Sequence, residues 1–187
     1  MKISQNLLDW IKDIATAVVI ALVILYFIKP TLVQEWSMEN TLQNNDYLFV
    51  SKQHYKLFGH DFEHGDIIVF QSDLKTAVGS DKLLIKRIIA VPGDTIAIHD
   101  GYVVLNGQTI MEPYTKDMIT YTEMNEVTVP DGYLFCMGDN RQNSSDSRDY
   151  RIGMVDQSLV MGKAVVRLFP FKTFGGLYKN YAVLPLK

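Results

Sequence analysis

One lysine of this chain lies where it could act as a base. Lys86 stands between aliphatic residues in a segment whose composition is typical of a β-strand. Alternate residues of a strand share a face, so Lys86 shares its face with Leu84 and Ile88. Loss of hydration lowers the pKa of an ammonium group, and a shift from about 10.4 to about 8 would make this amine a usable base. From the pattern alone, an exposed edge-strand lysine that discourages aggregation is the simpler interpretation.

A serine near the N-terminus could supply the nucleophile for such a base. Ser37 lies in residues 36–42, WSMENTL, where a lone serine is ordinarily a cap or loop residue. The histidines, which are in no comparable motif, give a Ser-His-Asp triad little support and lack the spacing of metal ligands. They are His54, His60, His64 and His99. A Ser-Lys mechanism requires the fold to bring the two side chains together.

Four segments stand out along the chain: residues 36–42 (WSMENTL), 65–70 (GDIIVF), 84–94 (LIKRIIAVPGD) and 138–148 (GDNRQNSSDSR). In this order they resemble the signature boxes of bacterial type I signal peptidases, serine peptidases of family S26. The boxes of that family read roughly SMxPTL, GDIVVF, KRVIGLPGD and GDNRxxSxDSR. The last box matches at every fixed position, although taken alone it would be a turn followed by a solvated loop. With an apolar segment at the N-terminus, the chain most resembles the small Gram-positive type, which has one N-terminal anchor.

The resemblance implies a serine endopeptidase that removes signal peptides from exported preproteins after small residues in an A-x-A pattern. It implies that Ser37 attacks the scissile carbonyl and that its N–H contributes to the oxyanion hole. Neutral Lys86 would take the serine proton and later activate the deacylating water. Ser144 would orient Lys86 by a hydrogen bond, and Asp146 and Arg148 would form a supporting salt bridge. No metal or organic cofactor is implied.

The resemblance also assigns two larger groups of residues. The structural members of the same scaffold would be Arg87, Asp139 and Arg141. The residues that match the family's substrate pocket for small side chains are Val33, Met38, Leu42, Leu84, Ile85 and Cys136.

The nucleophile segment departs from the family pattern at three positions. Asn40 replaces proline, Glu35 replaces a Gly or Ser, and the bulky Trp36 precedes the serine. An ionised Glu35 cannot donate a hydrogen bond, and a carboxylate near a developing oxyanion raises the barrier. The sequence therefore leaves an alternative: a weakly active or inactive homologue that acts as a binding or assembly factor for particular exported subunits. A self-cleaving Ser-Lys regulator would carry a DNA-binding helical domain, which is not visible here.

Residues 14–28, IATAVVIALVILYFI, contain no charge, glycine or proline. This run covers about 22 Å as a helix, whereas a bilayer core needs about 30 Å, so it spans only with help from its flanks. A cleaved signal is disfavoured because no small residues follow the run, and a buried core helix is disfavoured because the run is apolar on all faces. Lysines at positions 2 and 12, against one at position 29, slightly favour an inside N-terminus. Even a fully extended chain places Ser37 no more than about 25 Å from Pro30, so we expect the serine to lie close to the bilayer.

We therefore expect residues 1–29 to form a cytoplasmic tip and a single-pass membrane anchor. Residues 30–187 would form an extracytoplasmic β catalytic domain, with a small inserted cap near residues 100–130. The expected partners are secreted preproteins, membrane lipid and the protein-export machinery. The net charge of −3 and the scattered positive charges give no basic footprint for nucleic acid.

Beyond residue 46 the chain has the pattern of a mostly β, antiparallel domain. The predicted strands are residues 46–51, 66–70, 83–90, 95–98, 102–105, 126–129, 133–137 and 160–168. The dipeptides Asp100-Gly101 and Asn106-Gly107 predict hairpin turns. No amphipathic helical pattern alternates with the strands, which argues against a parallel α/β sheet. Cys136 is the single cysteine, so an intrachain disulfide is excluded. We predict that it is a buried core thiol.

Overall fold

The chain forms an N-terminal helix followed by two β-sheets, in a computed structural model that describes residues 5–51, 62–76, 78–177 and 182–183. The helix α1 spans Gln5–Phe27. The strands are β1 Ile28–Leu32, β2 Tyr47–Ser51, β3 Ile67–Lys75, β4 Asp81–Ala90, β5 Thr95–His99, β6 Tyr102–Leu105, β7 Gln108–Met111, β8 Met124–Thr128, β9 Tyr133–Met137, β10 Val155–Asp156, β11 Val160–Phe169, β12 Gly175–Gly176 and β13 Ala182–Val183. Two 3-10 turns lie at Gln157–Leu159 and Phe171–Thr173.

The larger sheet has eight strands in the order β1-β2-β11-β3-β4-β9-β10, with β12 paired to β11. All its pairs are antiparallel, which confirms the predicted mostly β, antiparallel domain. The side chains of β3 alternate between two buried clusters, because successive residues of a strand point to opposite faces. Ile67 and Val69 pack in one cluster with Val33, while Ile68 and Phe70 pack in the other.

The sheet edge carries a strand that the sequence pattern did not predict. β1 follows α1 directly and contains Pro30, which pairs with Phe49 of β2. Proline lacks the N–H that an inner strand would donate, so it is tolerated on an edge strand such as this one. The connection between the predicted strands 66–70 and 83–90 is also shorter than expected, since β3 extends to Lys75 and β4 begins at Asp81. Most of residues 52–64, between the predicted strands 46–51 and 66–70, lies outside the described residues.

The smaller sheet has five strands in the order β13-β7-β6-β5-β8. Both predicted hairpin turns are confirmed. Asp100 and Gly101 have φ of 52° and 82°, and Asn106 and Gly107 have φ of 52° and 74°. Two consecutive positive φ values suit the right-handed twist of the flanking strands, and Asn, Asp and Gly adopt them most readily.

A buried apolar cluster joins the two sheets. It combines Ile89 of β4 and Phe135 of β9 from the larger sheet with Ile96 and Ile98 of β5 from the smaller one. The smaller sheet is thereby packed on the chain that immediately follows Lys86 and Arg87. This packing fixes the end of β4 on which both charged residues lie.

The apolar side chains of α1 that the structure describes are exposed, among them Val18, Val19, Ile20 and Leu22. Within the described residues, no helix combines the length and the apolarity that crossing a membrane requires. The single-pass anchor stays a prediction.

Candidate active site

The side chains of Lys86 and Ser37 meet in a buried contact. Lys86 Nζ lies 2.7 Å from Ser37 Oγ and 3.0 Å from the carbonyl oxygen of Ile85. Lys86 is 1% exposed and Ser37 is 8% exposed. An amine and a hydroxyl at this distance can exchange a proton without any rearrangement of the chain.

Burial lowers the pKa of Lys86 to about 8. The charges of Asp146 and Glu35 act against this shift, while the neighbouring ammonium of Lys82 adds to it. At pH 7 a group with this pKa is neutral in about one molecule in ten, compared with fewer than one in a thousand for an ordinary lysine. The site therefore supplies a usable fraction of free amine in direct contact with a hydroxyl.

The loop that carries Ser37 is held at both ends by backbone hydrogen bonds. The Val33 N–H donates to the Asp46 carbonyl at 2.9 Å, and the Asn45 N–H donates to the Val33 carbonyl at 2.8 Å. Between them, Met38 and Leu42 are 1% and 0% exposed and anchor the loop in an apolar cluster beneath it. The nucleophile thus stands on a short loop whose position is set by buried side chains.

Residues of the fourth segment, 138–148, clamp the same loop from the other side. The Asn140 N–H donates to the Ser37 carbonyl at 3.0 Å, and its side-chain amide donates to the Trp36 carbonyl at 3.1 Å. Gly138 lies so close that a Cβ there would stand 2.5 Å from the Ser37 carbonyl oxygen and 2.6 Å from Ser144 Cβ. Only glycine allows this approach.

Asp146 and Arg148 form an ion pair with two contacts, close to Ser37 and Lys86. Arg148 Nε and Nη2 each donate to the Asp146 carboxylate at 2.8 Å, and the Gly138 N–H donates to it at 2.9 Å. Burial acts to raise the pKa of Asp146, but these hydrogen bonds outweigh it and hold that pKa below its ordinary value. The carboxylate therefore stays ionised near Lys86.

Ser144 does not make the hydrogen bond that the resemblance implied. Among the described residues, Lys86 Nζ donates to Ser37 and Ile85, and no hydrogen bond joins it to Ser144. The Ser144 hydroxyl is buried next to Asp146, where it helps to lower the pKa of that carboxyl group. The second acceptor of the Lys86 amine is the Ile85 carbonyl oxygen.

The side chain next to the base belongs to a separate buried network. Arg87 Nε and Nη2 donate to the Asp139 carboxylate at 2.9 and 2.7 Å, and neither side chain is exposed. Arg87 also donates to the Gly65 carbonyl at 2.9 Å, and its guanidinium lies 4.0 Å from the ring centre of Tyr114. Thr41, from the nucleophile loop, hydrogen-bonds to Asp139. The network ties β4 to the Ser37 loop.

Arg141 connects the site to the chain after β7. Two of its nitrogens lie 2.5 Å from the Glu112 carboxylate, and a third donates to the Gly138 carbonyl at 3.0 Å. Its guanidinium also donates to Thr120 at 3.1 Å. Glu112, Tyr114 and Thr120 were not predicted, because nothing in their local sequence distinguishes them from ordinary loop residues.

A cavity of about 320 Å³ opens beside Ser37. Of the six predicted pocket residues, Val33, Met38 and Ile85 line this cavity. Leu42, Leu84 and Cys136 do not line it. They lie in the buried clusters on either side, with exposures of 0%, 2% and 0%. Burial raises the pKa of the Cys136 thiol well above its ordinary value, so this cysteine is an inert part of the core.

Glu35, Trp36 and Asn40, the three residues that depart from the family pattern, have different surroundings. Glu35 lines the cavity and forms an ion pair with Lys82 of β4. Trp36 is 52% exposed, and Asn40 is also exposed. None of the three blocks the approach between Lys86 and Ser37.

A serine hydroxyl in contact with a buried amine of low pKa is the arrangement of the Ser-Lys hydrolases. The sequence model of the family described as signal peptidase, peptidase S26, matches residues 7–169. The signal peptidase I of Bacillus licheniformis is 37% identical over 177 residues, which cover 89% of this chain and 91% of that protein. The probable signal peptidase I-1 of Synechocystis is 39% identical over 165 residues, or 86% of this chain and 82% of that one. This chain belongs to the S26 family of signal peptidases.

A solved structure of a signal peptidase I from Enterococcus faecalis also matches, with 30% sequence identity and a TM-score of 0.46. The match covers 56% of this chain and 97% of the other.

Proposed function

We propose that this chain is a signal peptidase I, a serine endopeptidase that removes the N-terminal signal peptides of exported preproteins after small residues. The observation that carries the proposal is the 2.7 Å contact between Ser37 Oγ and a buried lysine amine, in a chain of the S26 family. The substrate class follows from the family and from relatives named signal peptidase I.

In the proposed acylation step, Ser37 Oγ attacks the scissile carbonyl carbon while its proton passes to neutral Lys86. The resulting oxyanion receives the Ser37 N–H, which donates no hydrogen bond within the described part of the chain. The Lys86 ammonium then gives its proton to the leaving amine, and the C–N bond breaks. The products are an ester between Ser37 and the signal peptide, and the free N-terminus of the mature protein. Base catalysis of this kind contributes about 10²–10⁴-fold.

Deacylation repeats the proton transfers with water. Lys86, neutral again, takes a proton from a water molecule as the water oxygen attacks the ester carbonyl. Collapse of the second tetrahedral intermediate returns the proton from Lys86 to Ser37 Oγ and releases the signal peptide with a new carboxylate. The Asp146–Arg148 pair supports both steps, because it holds the loop that clamps the Ser37 carbonyl through Asn140 and packs Gly138 against it.

An unpaired edge of β4 supports a mode of substrate binding. β4 pairs with β3 along much of its length, but pairs with β9 only from Arg87 onward. Within the described residues, 81–85 therefore have no strand paired along their second edge, and the cavity lined by Ile85 and Val33 lies beside it. An extended peptide can add to such an edge by main-chain hydrogen bonds while its side chains enter the cavity.

We propose that α1 is a single-pass membrane anchor, that residues 30–187 form the extracytoplasmic catalytic domain, and that the smaller sheet is its inserted cap. Support for the anchor comes from the uninterrupted apolar run of residues 14–28 and from exposed side chains such as Val18 and Leu22, which need an apolar environment. Lipid would then surround the helix. Substrates would arrive from the export machinery with their own apolar segment beside it.

The proposal is tested with the whole protein in detergent and a preprotein that carries an A-x-A site. We expect cleavage at one bond, identified by the mass of the mature chain. Phenylalanine in place of the last alanine should reduce kcat/KM by about 10² or more, because the proposed function requires a small residue at this position. Absence of cleavage of any preprotein between pH 6 and 10, together with stable binding of the uncut substrate, would establish the binding-factor alternative instead.

A further inference from the structure

Glu35 and Lys82, two charged side chains that the proposed mechanism does not use, line the same cavity as Ser37, together with Asp81, which forms an ion pair with Lys75. Glu35 precedes the nucleophile by two positions, and Lys82 lies on the free-edged part of β4. Glu35 Oε1 and Lys82 Nζ form an ion pair, with side chains that are 41% and 36% exposed. The pair joins the segment after β1 to β4 across the cavity.

Glu35 is a hazard for the proposed chemistry when it is considered by itself. An acyl transfer places negative charge on the oxygen of the scissile carbonyl, and a nearby carboxylate without a counterion opposes that charge. The effect is strongest once the substrate has displaced water from the cavity, because the local dielectric then falls. A cation bonded directly to the carboxylate cancels most of this field.

We propose that Lys82 is a positioning residue for the reaction, which holds Glu35 in an ion pair and so keeps its carboxylate from opposing charge development at the scissile carbonyl. This inference rests on the proposed function of the site. Lys82 acts through Glu35 and touches neither Ser37 nor Lys86 among the described hydrogen bonds and ion pairs.

The charges around Lys86 support the view that Glu35 and Lys82 balance each other. The groups that face Lys86 are Asp146 from the loop after β9, Cys136 from β9, Glu35 from the segment after β1, and Lys82 from its own strand. Burial is the largest influence on the Lys86 pKa and lowers it, and the Lys82 charge lowers it further, whereas Asp146 and Glu35 raise it. Removing one member of the pair leaves the other unbalanced, so the two single substitutions should move the Lys86 pKa in opposite directions.

A double-mutant cycle tests the proposal with the whole protein and the A-x-A preprotein. Lys82→Met should lower kcat about tenfold, leave KM within about twofold, and move the acid limb of the pH–rate profile to higher pH. Glu35→Gln should move that limb to lower pH. The double variant should regain most of the kcat lost in Lys82→Met, since no carboxylate remains to be neutralised. Lys82→Arg preserves the ion pair and should restore the wild-type midpoint.

Arg151→Met is the matched control, because it removes a cation from another partly exposed ion pair, with Asp149, outside the cavity. It should move neither kcat nor the midpoint. If the activity lost in Lys82→Met is still missing in the double variant, or if the loss is a higher KM and not a lower kcat, the proposal is overturned and Lys82 is a substrate-binding residue. The Lys86 pKa can also be titrated by NMR in a Ser37→Ala background, which requires no turnover. Opposite shifts in the two single variants would support the pair's role even if the proposed peptidase activity failed, and unshifted titrations would refute it.

Discussion

Replacing Ser37 by alanine is expected to abolish preprotein cleavage and to leave the fold intact. Ser37 Oγ is the nucleophile that displaces the leaving amine from the scissile carbon in the proposed mechanism, so its removal eliminates the acyl-enzyme route. Loss of the nucleophile in a comparable serine peptidase costs about 10⁶-fold in kcat. Among the described residues the side chain makes one hydrogen bond, to Lys86, so the free energy of unfolding should change by about 1 kcal/mol.

The measurement is kcat for one preprotein, with thermal unfolding followed in parallel. Ser72→Ala is a matched control, because Ser72 is 6% exposed, compared with 8% for Ser37, and its hydroxyl donates to a backbone carbonyl. The control should lose stability slightly and keep its activity. Cleavage by Ser37→Ala at more than about a thousandth of the wild-type rate would contradict the assigned nucleophile.

Replacing Lys86 by methionine should remove activity as completely, yet make the protein more stable at pH 7. Methionine keeps the unbranched shape of the side chain but cannot accept a proton. In the wild type, burial lowers the Lys86 pKa from 10.5 to about 8. That difference means that the folded state disfavours the ammonium by about 3 kcal/mol. Relief of this cost, less about 1 kcal/mol for each of two lost hydrogen bonds, should raise the free energy of unfolding.

The pH dependence of stability gives the sign of this effect. Between pH 8 and 10.5 the unfolded chain holds the Lys86 proton and the folded chain does not, so the wild type gains stability as pH rises through this window. Below pH 8 both states are protonated and the full cost is present. Denaturant unfolding at pH 7 and 10 should therefore show a gap between Lys86→Met and the wild type that narrows at the higher pH.

Lys163→Met provides a control with the opposite sign. Lys163 is also largely buried, but it forms an ion pair at 2.6 Å with Asp66, whose side chain is 1% exposed. The same substitution there takes a counterion from a buried carboxylate and should destabilise the protein. A Lys86→Met variant that is as destabilised as Lys163→Met would show that Lys86 is a stabilising cation in the folded state and not a neutral base.

The β domain was largely predictable because its strands alternate between two buried faces and its hairpins carry Asp-Gly and Asn-Gly. Those signals are local. β1 was missed because it follows an apolar helical run and contains Pro30, and only its place at the sheet edge makes that proline acceptable. The short strands β10, β12 and β13 owe their existence to neighbours, which local propensity does not contain.

The candidate active site was also predictable only in part. A lysine among aliphatic residues indicated a base of low pKa, but the strand pattern alone favoured an exposed lysine, and only the four segments together pointed to Ser37. The contact of Lys86 with the Ile85 carbonyl depends on the path of β4, which no motif encodes. The lining of the cavity depends on which faces of the strands and loops pack together in the folded chain. Leu84 and Cys136 therefore match pocket positions in sequence but lie in the core beneath.

In the proposed mechanism an uncharged Lys86 takes the Ser37 proton, and the pH dependence of single-turnover acylation is the decisive test of this step. The rate should rise about tenfold per pH unit below the midpoint and level off above a midpoint near pH 8, the pKa that burial gives Lys86. A rate that is independent of pH from 6 to 10, or one whose midpoint lies above pH 10 where an ordinary lysine titrates, would contradict the account.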